Sequence, residues 1–98
     1  MDDDTLGGYE RVHARPPAFG GRDGFAYTAS IFVDGEPDAG ARYGAALLFL
    51  RWDTGGDRPI GHVETDYLAF GATAAEARDA VAALSLHDVK GHLDRLTR

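Results

Sequence analysis

Apolar residues alternate with small or polar residues at the start of the ordered part of the chain. From Phe25 to Val33 every second residue is apolar. Successive side chains of a strand point to opposite faces, so this pattern predicts a strand with one buried face. A polar connection rich in turn-forming residues, 34–40, follows this strand.

A nearly continuous apolar run from Tyr43 to Trp52 comes next. Such a run predicts a strand covered on both faces, at the centre of the sheet, although a short buried helix would give the same pattern. The polar residues 53–59 predict a hairpin connection, and Ile60 to Phe70 is predicted to be the third strand.

Two N-terminal helix signals follow the strands. Thr73 and Glu76 have the spacing of a capping box, in which the hydroxyl and the carboxylate bind free amides of the first turn. Ser85 and Asp88 repeat that spacing, so one helix should end near Leu84 and another should start at Leu86. The predicted fold is α+β, with a three-stranded antiparallel sheet followed by two C-terminal helices, in the order β-β-β-α-α.

The second helix carries an apolar stripe with spacings of three, four and three residues. Such a stripe needs a partner surface, and Gly91 within the helix lowers its intrinsic stability by about 0.8 to 1 kcal/mol relative to alanine. We therefore predict that the stripe is an interaction surface, for a second copy or another protein. We call it the leucine stripe; its members are Leu86, Val89, Leu93 and Leu96.

The first 23 residues contain few large apolar side chains and three pairs of adjacent glycines or prolines. Such a composition buries too little apolar surface to offset the entropy of ordering. Residues 1–23 are therefore predicted to be a flexible N-terminal arm, and residues 24–98 to be a single α+β domain.

Composition limits the partners. The 98 residues suffice for one domain, and sixteen acidic against ten basic residues give a net charge of −6. This charge disfavours nucleic acid, which normally needs a clustered basic surface. No apolar run is long enough to predict a membrane span. The absence of cysteine excludes thiolate chemistry, and the acidic start without a secretory signal leads us to expect a cytoplasmic protein.

His62, Glu64 and Asp66 alternate along the third predicted strand, so their side chains should share one face. These residue types can bind a divalent metal such as zinc or act in acid–base chemistry. The same alternation is typical of a solvated sheet face. A metal-dependent or acid–base enzyme is thus the alternative function, while the leading hypothesis has no catalytic residues and no cofactor.

Aromatic residues are frequent in the predicted strands and could form either core or a binding face. A small-molecule binding module that uses them is a third possibility. Trp52, beside the predicted hairpin turn, is the aromatic residue expected to be partly exposed.

Residues 47–84 show a strand, a glycine-containing hairpin, a second strand and a capped helix. The segments are Leu47–Asp53, Gly55-Gly56, Gly61–Phe70, and Gly71 with Thr73, Glu76 and Ala77. This pattern resembles the HicB-like antitoxin domain. The resemblance implies a non-catalytic domain that pairs with another protein. The predicted function is therefore a small non-enzymatic interaction domain with a protein partner or a homodimer, without nucleic acid or membrane binding.

Overall fold

The computed structural model describes residues 3–36 and 42–98. The α+β class is confirmed, but the order of elements is richer than β-β-β-α-α, because a helix and a short strand precede the long strands and the third strand is divided. The elements are α1 (Leu6–His13), β1 (Ala18–Gly20), β2 (Ala26–Glu36), β3 (Arg42–Trp52), β4 (Pro59–Glu64), β5 (Ala69–Gly71), α2 (Ala74–Ala82) and α3 (Leu86–Leu96).

The sheet is antiparallel and has the order β1-β2-β3-β4, with β5 also paired to β3. β2 and β3 pair along their whole length, from Ala26 opposite Trp52 to Glu36 opposite Arg42. The prediction that the run 43–52 is a central strand is confirmed. The prediction that both of its faces are covered is wrong for the described residues, since the helices pack on one face only. The predicted connection 34–40 begins later than expected, since 34–36 belong to β2, and its remainder lies outside the described residues.

The third predicted strand, Ile60–Phe70, is not continuous. Phe49 pairs with Val63, and an unbroken register would pair Ala45 with Tyr67, but Ala45 pairs with Ala69 instead. Two extra residues are therefore accommodated between β4 and β5, in residues 65–68, which we call the inserted segment. Three hydrogen bonds attach it to β3. The amides of Thr65 and Leu68 donate to the carbonyls of Leu47 and Ala45 at 3.0 and 2.8 Å, and Thr65 Oγ1 accepts from the Leu47 amide at 3.0 Å, in place of a strand carbonyl.

All three helices of the described residues pack on one face of the sheet. The odd-numbered side chains of β2 and β3 point to this face. The alternation from Phe25 to Val33 predicts this for β2, whereas the continuous apolar run of β3 does not distinguish its two faces. They form one core with single residues or pairs from each helix. The fully buried members with the largest side chains are Tyr27, Phe49, Leu6, Leu47, Leu93, Val81 and Val89.

The N-terminal residues differ from the predicted flexible arm. Thr5 caps α1 by accepting a hydrogen bond from the Gly8 amide at 3.0 Å, and Leu6 is completely buried. Gly7 lets α1 approach α2 closely, since a Cβ there would lie 2.9 Å from Cβ of Ala82. Composition does not predict this helix, because its burial depends on few residues. Leu6 enters the core, and Gly7 allows close contact with α2, a surface that is distant in the sequence. The predicted boundary at residue 24 falls inside the β1–β2 hairpin.

The two predicted helix starts are confirmed. Thr73 Oγ1 accepts from the Glu76 amide at 3.1 Å, and the Glu76 carboxylate accepts from the Thr73 amide at 3.0 Å. Ser85 Oγ accepts from the Asp88 amide at 3.0 Å. Within the described part of the chain, no helix is long and apolar enough to cross a membrane.

Candidate interaction surface

The even-numbered side chains of β2 and β3 form the face of the sheet opposite the helices, which we call the open face. The register places Phe32 beside Ala46 and Ser30 beside Leu48 on it. Within residues 3–36 and 42–98, no helix lies on this face. Its members from β2 and β3 include Ala26, Thr28, Ser30, Phe32, Asp34, Arg42, Gly44, Ala46, Leu48, Leu50 and Trp52.

One end of the open face is aromatic. Phe32 and Phe70 are 43% and 49% exposed. The ring of Tyr67 meets the ring of Phe70 edge to face, with centroids 5.8 Å apart. The guanidinium of Arg42 lies 4.6 Å from the centroid of Phe70, within the range of a cation–π contact. These contacts orient the exposed Phe70 ring.

Tyr67 is held on the open face by two contacts across the sheet. A Cβ added at Gly44 would lie 2.7 Å from Cδ1 of Tyr67, so the ring rests directly on the backbone of β3. The Tyr67 hydroxyl donates to Oδ2 of Asp34 at 2.8 Å. Asp34 and Gly44 are opposite each other in the register. The inserted segment is thereby fastened over β3 and β2.

A cavity of about 250 Å³ opens between the inserted segment and β2, and we call it the open-face pocket. Its lining includes Ala46, only 3% exposed, beside the larger aromatic side chains. Two acidic residues, Glu64 and Asp66, also line it, and both are exposed. The complete lining is Phe32, Ala46, Glu64, Thr65, Asp66 and Tyr67.

The other end of the open face holds Trp52. Its indole Nε1 donates to Oγ1 of Thr28 at 3.0 Å, and the residue is half-buried. Between Trp52 and the aromatic end, Leu48 and Leu50 are also half-buried. The open face is therefore apolar along most of β3.

The predicted trio His62, Glu64 and Asp66 is only partly brought together. His62 and Glu64 lie on the open face of β4, opposite Leu50 and Leu48. Asp66 lies in the inserted segment, where the regular alternation of strand side chains is interrupted. Among the described residues, no group of three or more His, Asp or Glu could hold a metal ion. The structure joins Glu64 and Asp66 at one pocket, whose lining does not include His62.

The central residues of the leucine stripe belong to the hydrophobic core of the chain. Val89 and Leu93 are completely buried in the core, and Leu86 is half-buried. Leu96, at the end of α3, is 37% exposed. The two central residues cannot contact a partner while α3 is packed on the sheet.

His92 on α3 has a neighbouring cation. Arg95 Nη2 donates to Nδ1 of His92 at 2.9 Å, a contact that requires the unprotonated nitrogen. Burial, and then the positive charge of Arg95, lower the pKa of His92, while the charge of Asp88 acts in the opposite direction. The neutral imidazole is therefore favoured here.

Sequence reasoning missed a polar group on the helix side of the sheet. The hydroxyl of the fully buried Tyr27 donates to Oδ2 of Asp23 at 2.5 Å and accepts from Nε of Arg51 at 2.9 Å. This hydrogen bond from Tyr27 is the main reason that the pKa of Asp23 is lowered, while burial, and then the bond to Asp23, raise the pKa of Tyr27. The group closes the β1–β2 hairpin, and no local spacing rule predicts it.

Comparison of the chain with protein-family models, with curated proteins and with solved structures found no match.

Proposed function

We propose that this chain is a non-enzymatic protein-interaction domain that binds its partner through the open face of the sheet. One observation carries the proposal. Phe32 and Phe70 are 43% and 49% exposed on the same face, beside half-buried apolar residues of β3. Contiguous exposed apolar surface is characteristic of sites at which proteins bind other molecules.

The aromatic end of the open face is also held in place before any partner binds. Tyr67 rests on Gly44 and is hydrogen-bonded to Asp34, while Phe70 lies between Tyr67 and Arg42. A surface that is already ordered loses less side-chain entropy on binding. Aromatic residues also contribute disproportionately to the energy of protein interfaces.

The charges of the open face favour a different protein over a second copy. Asp34 and Glu64 on the open face are acidic, and so is Asp66 at the border of that face. The basic Arg42 already makes a cation–π contact with Phe70. In a twofold dimer two copies of the same patch, in which acidic residues outnumber basic ones, would be brought together. Like charges brought together at an interface are unfavourable. The homodimer is therefore the weaker form of the proposal.

A narrower form follows the HicB-like resemblance, which would make the partner a toxin. The local order on which this resemblance is based is present, with β3, a hairpin, β4 and β5, and the capped helix α2. If a neighbouring gene encodes a toxic protein, co-expression of this chain should restore growth. Growth inhibition that persists with the wild-type chain would reject the antitoxin role alone.

The proposal is tested by affinity capture from the source cell with the intact chain and two matched variants. Phe32→Ser changes the open face, and Val12→Ser changes a residue of almost equal exposure, 44%, on α1. A protein retained by the wild type and by Val12→Ser, but lost with Phe32→Ser, is the expected result.

Sedimentation of the same three proteins separates the two forms of the proposal. A wild-type dimer that Phe32→Ser dissociates would identify a second copy as the partner. A monomer that captures no protein, or capture that is equal for all three chains, would reject the open face as an interface.

A further inference from the structure

We infer that the open-face pocket receives a basic side chain, preferably arginine, from the protein partner. This inference rests on the proposed function and specifies the chemistry of the partner. It begins from the lining of one cavity of about 250 Å³, which combines the aromatic residues Phe32 and Tyr67 with the acidic residues Glu64 and Asp66.

The size of the pocket suits one side chain. Pockets that enclose drug-sized ligands are about 300 to 1,000 Å³, so this cavity is too small for most of them. Ala46 contributes only a methyl group to the lining, which leaves room for a side chain to enter beside β3. The rings of Phe32 and Tyr67 offer apolar surface to the methylene stem of such a side chain.

The charge of the pocket selects a cation. Glu64 and Asp66 are the charged residues of the lining, both acidic and both exposed, and none of its six residues is basic. A guanidinium can pair with a carboxylate in a forked geometry and can also lie over an aromatic ring. Both partners for such a group are present here, which is why arginine is preferred over lysine.

A bare metal ion fits the pocket less well. Thr65 Oγ1 already accepts from the Leu47 amide and donates to the Asp66 carbonyl at 2.7 Å. That leaves Glu64 and Asp66 as the charged oxygen ligands, whereas calcium takes six to eight oxygens. Of the two aromatic residues, Phe32 has no oxygen in its side chain, and the hydroxyl of Tyr67 is already bonded to Asp34. An organic cation with an apolar stem matches the whole lining.

The test is a titration of the isotope-labelled chain with N-acetyl-arginine methylamide, followed by amide chemical shifts. The control ligand is N-acetyl-citrulline methylamide, which has nearly the same shape but no charge. We expect saturable shifts at Phe32, Ala46 and residues 64–67, with affinity about five- to tenfold weaker for the citrulline compound.

Two matched double variants test whether Glu64 and Asp66 cause the preference for the charged arginine compound. Glu64→Gln with Asp66→Asn should abolish the preference for arginine over citrulline. Asp53→Asn with Asp57→Asn removes the same net charge from the 53–58 hairpin and should leave that preference intact. Preserved shift dispersion of each double variant shows that it is folded.

Several results would overturn the inference. These are the absence of saturable shifts with the arginine compound, equal affinity for citrulline, or saturable shifts that centre outside the pocket. If a partner is nevertheless lost with Phe32→Ser, the proposed function stands and only the basic side chain is rejected. If Phe32→Ser keeps every partner while arginine binds, the pocket is a ligand site and the proposed interface fails.

Discussion

The ring of Tyr67 fills the space that a side chain at Gly44 would occupy. A Cβ at position 44 would lie 2.7 Å from Cδ1 and 2.8 Å from Cγ of that ring. These distances are too short for carbon atoms that are not bonded, so glycine is required for the observed packing. This contact links β3 to the inserted segment and determines one wall of the open-face pocket.

Gly44→Ala should therefore destabilise the protein by about 1 to 3 kcal/mol, because the new methyl group overpacks the site and displaces Tyr67. Urea denaturation measures the change in the free energy of unfolding. Gly61→Ala is the matched control, since a Cβ at this strand position has no atom within 4 Å. We expect that control to be neutral or slightly stabilising.

The double variant Gly44→Ala with Tyr67→Ala separates overpacking from a general strand effect. Removal of the ring should eliminate most of the additional cost of the methyl group, giving a coupling of more than about 0.5 kcal/mol. Strict additivity of the two substitutions would show that Tyr67 does not rest on Gly44.

Tyr27→Phe should cost more stability than Tyr67→Phe, although both substitutions remove one hydroxyl. Tyr27 is fully buried and its hydroxyl connects Asp23 with Arg51, so its loss should cost about 1 to 3 kcal/mol. The hydroxyl of Tyr67 donates to the exposed Asp34, and its loss should cost about 0.5 to 1 kcal/mol. Thermal denaturation of both variants gives the comparison, and equal losses would contradict this ranking.

The leucine stripe can be divided experimentally into core and surface. Leu93→Ala should destabilise the chain by about 2 to 5 kcal/mol, because Leu93 is completely buried. Leu96→Ala should cost less than about 1 kcal/mol, since Leu96 is 37% exposed. Denaturation measures both. A folded Leu93→Ala variant with wild-type stability would mean that the stripe is not part of the core.

The lowered pKa of His92 predicts a loss of stability on mild acidification. In the unfolded chain this histidine gains its proton near its ordinary value of 6.5, and in the folded chain only at lower pH. Between these two values the unfolded state binds more protons, so the free energy of unfolding falls as pH decreases through that window.

The measurement is urea denaturation at about pH 7.5 and about pH 5.5, for the wild type and for His92→Gln. The variant should lose less stability than the wild type between these two conditions. A difference of the opposite sign would show that protonated His92 is favoured in the folded chain.

Some features of the fold could be predicted because they depend on neighbours in the sequence. The alternation from Phe25 to Val33 determined which side chains of β2 face the helices. The capping box at Thr73 and the N-cap at Ser85 determined where α2 and α3 begin. These interactions join residues two or three positions apart, so the local sequence contains all the groups involved.

The candidate surface was harder to predict. The alternation of His62, Glu64 and Asp66 predicts one continuous strand, because a period of two residues carries no sign of the two extra residues before β5. The pocket needs Phe32 and Ala46 beside the inserted segment, and their proximity follows from the pairing of three strands. The HicB-like resemblance remains a prediction for the partner experiments.

The sequence by itself determined the α+β class, the helix starts and the buried alternation of β2, since short-range spacing and hydrogen bonding control them. Tertiary structure alone decided that Leu6 is core, that Val89 and Leu93 turn inward, and that Tyr67 lies on Gly44. Each of these depends on surfaces contributed by segments distant in the chain. An apolar pattern in the sequence indicates that a residue needs a partner surface. Which segment of the chain provides that surface is determined only by the tertiary structure.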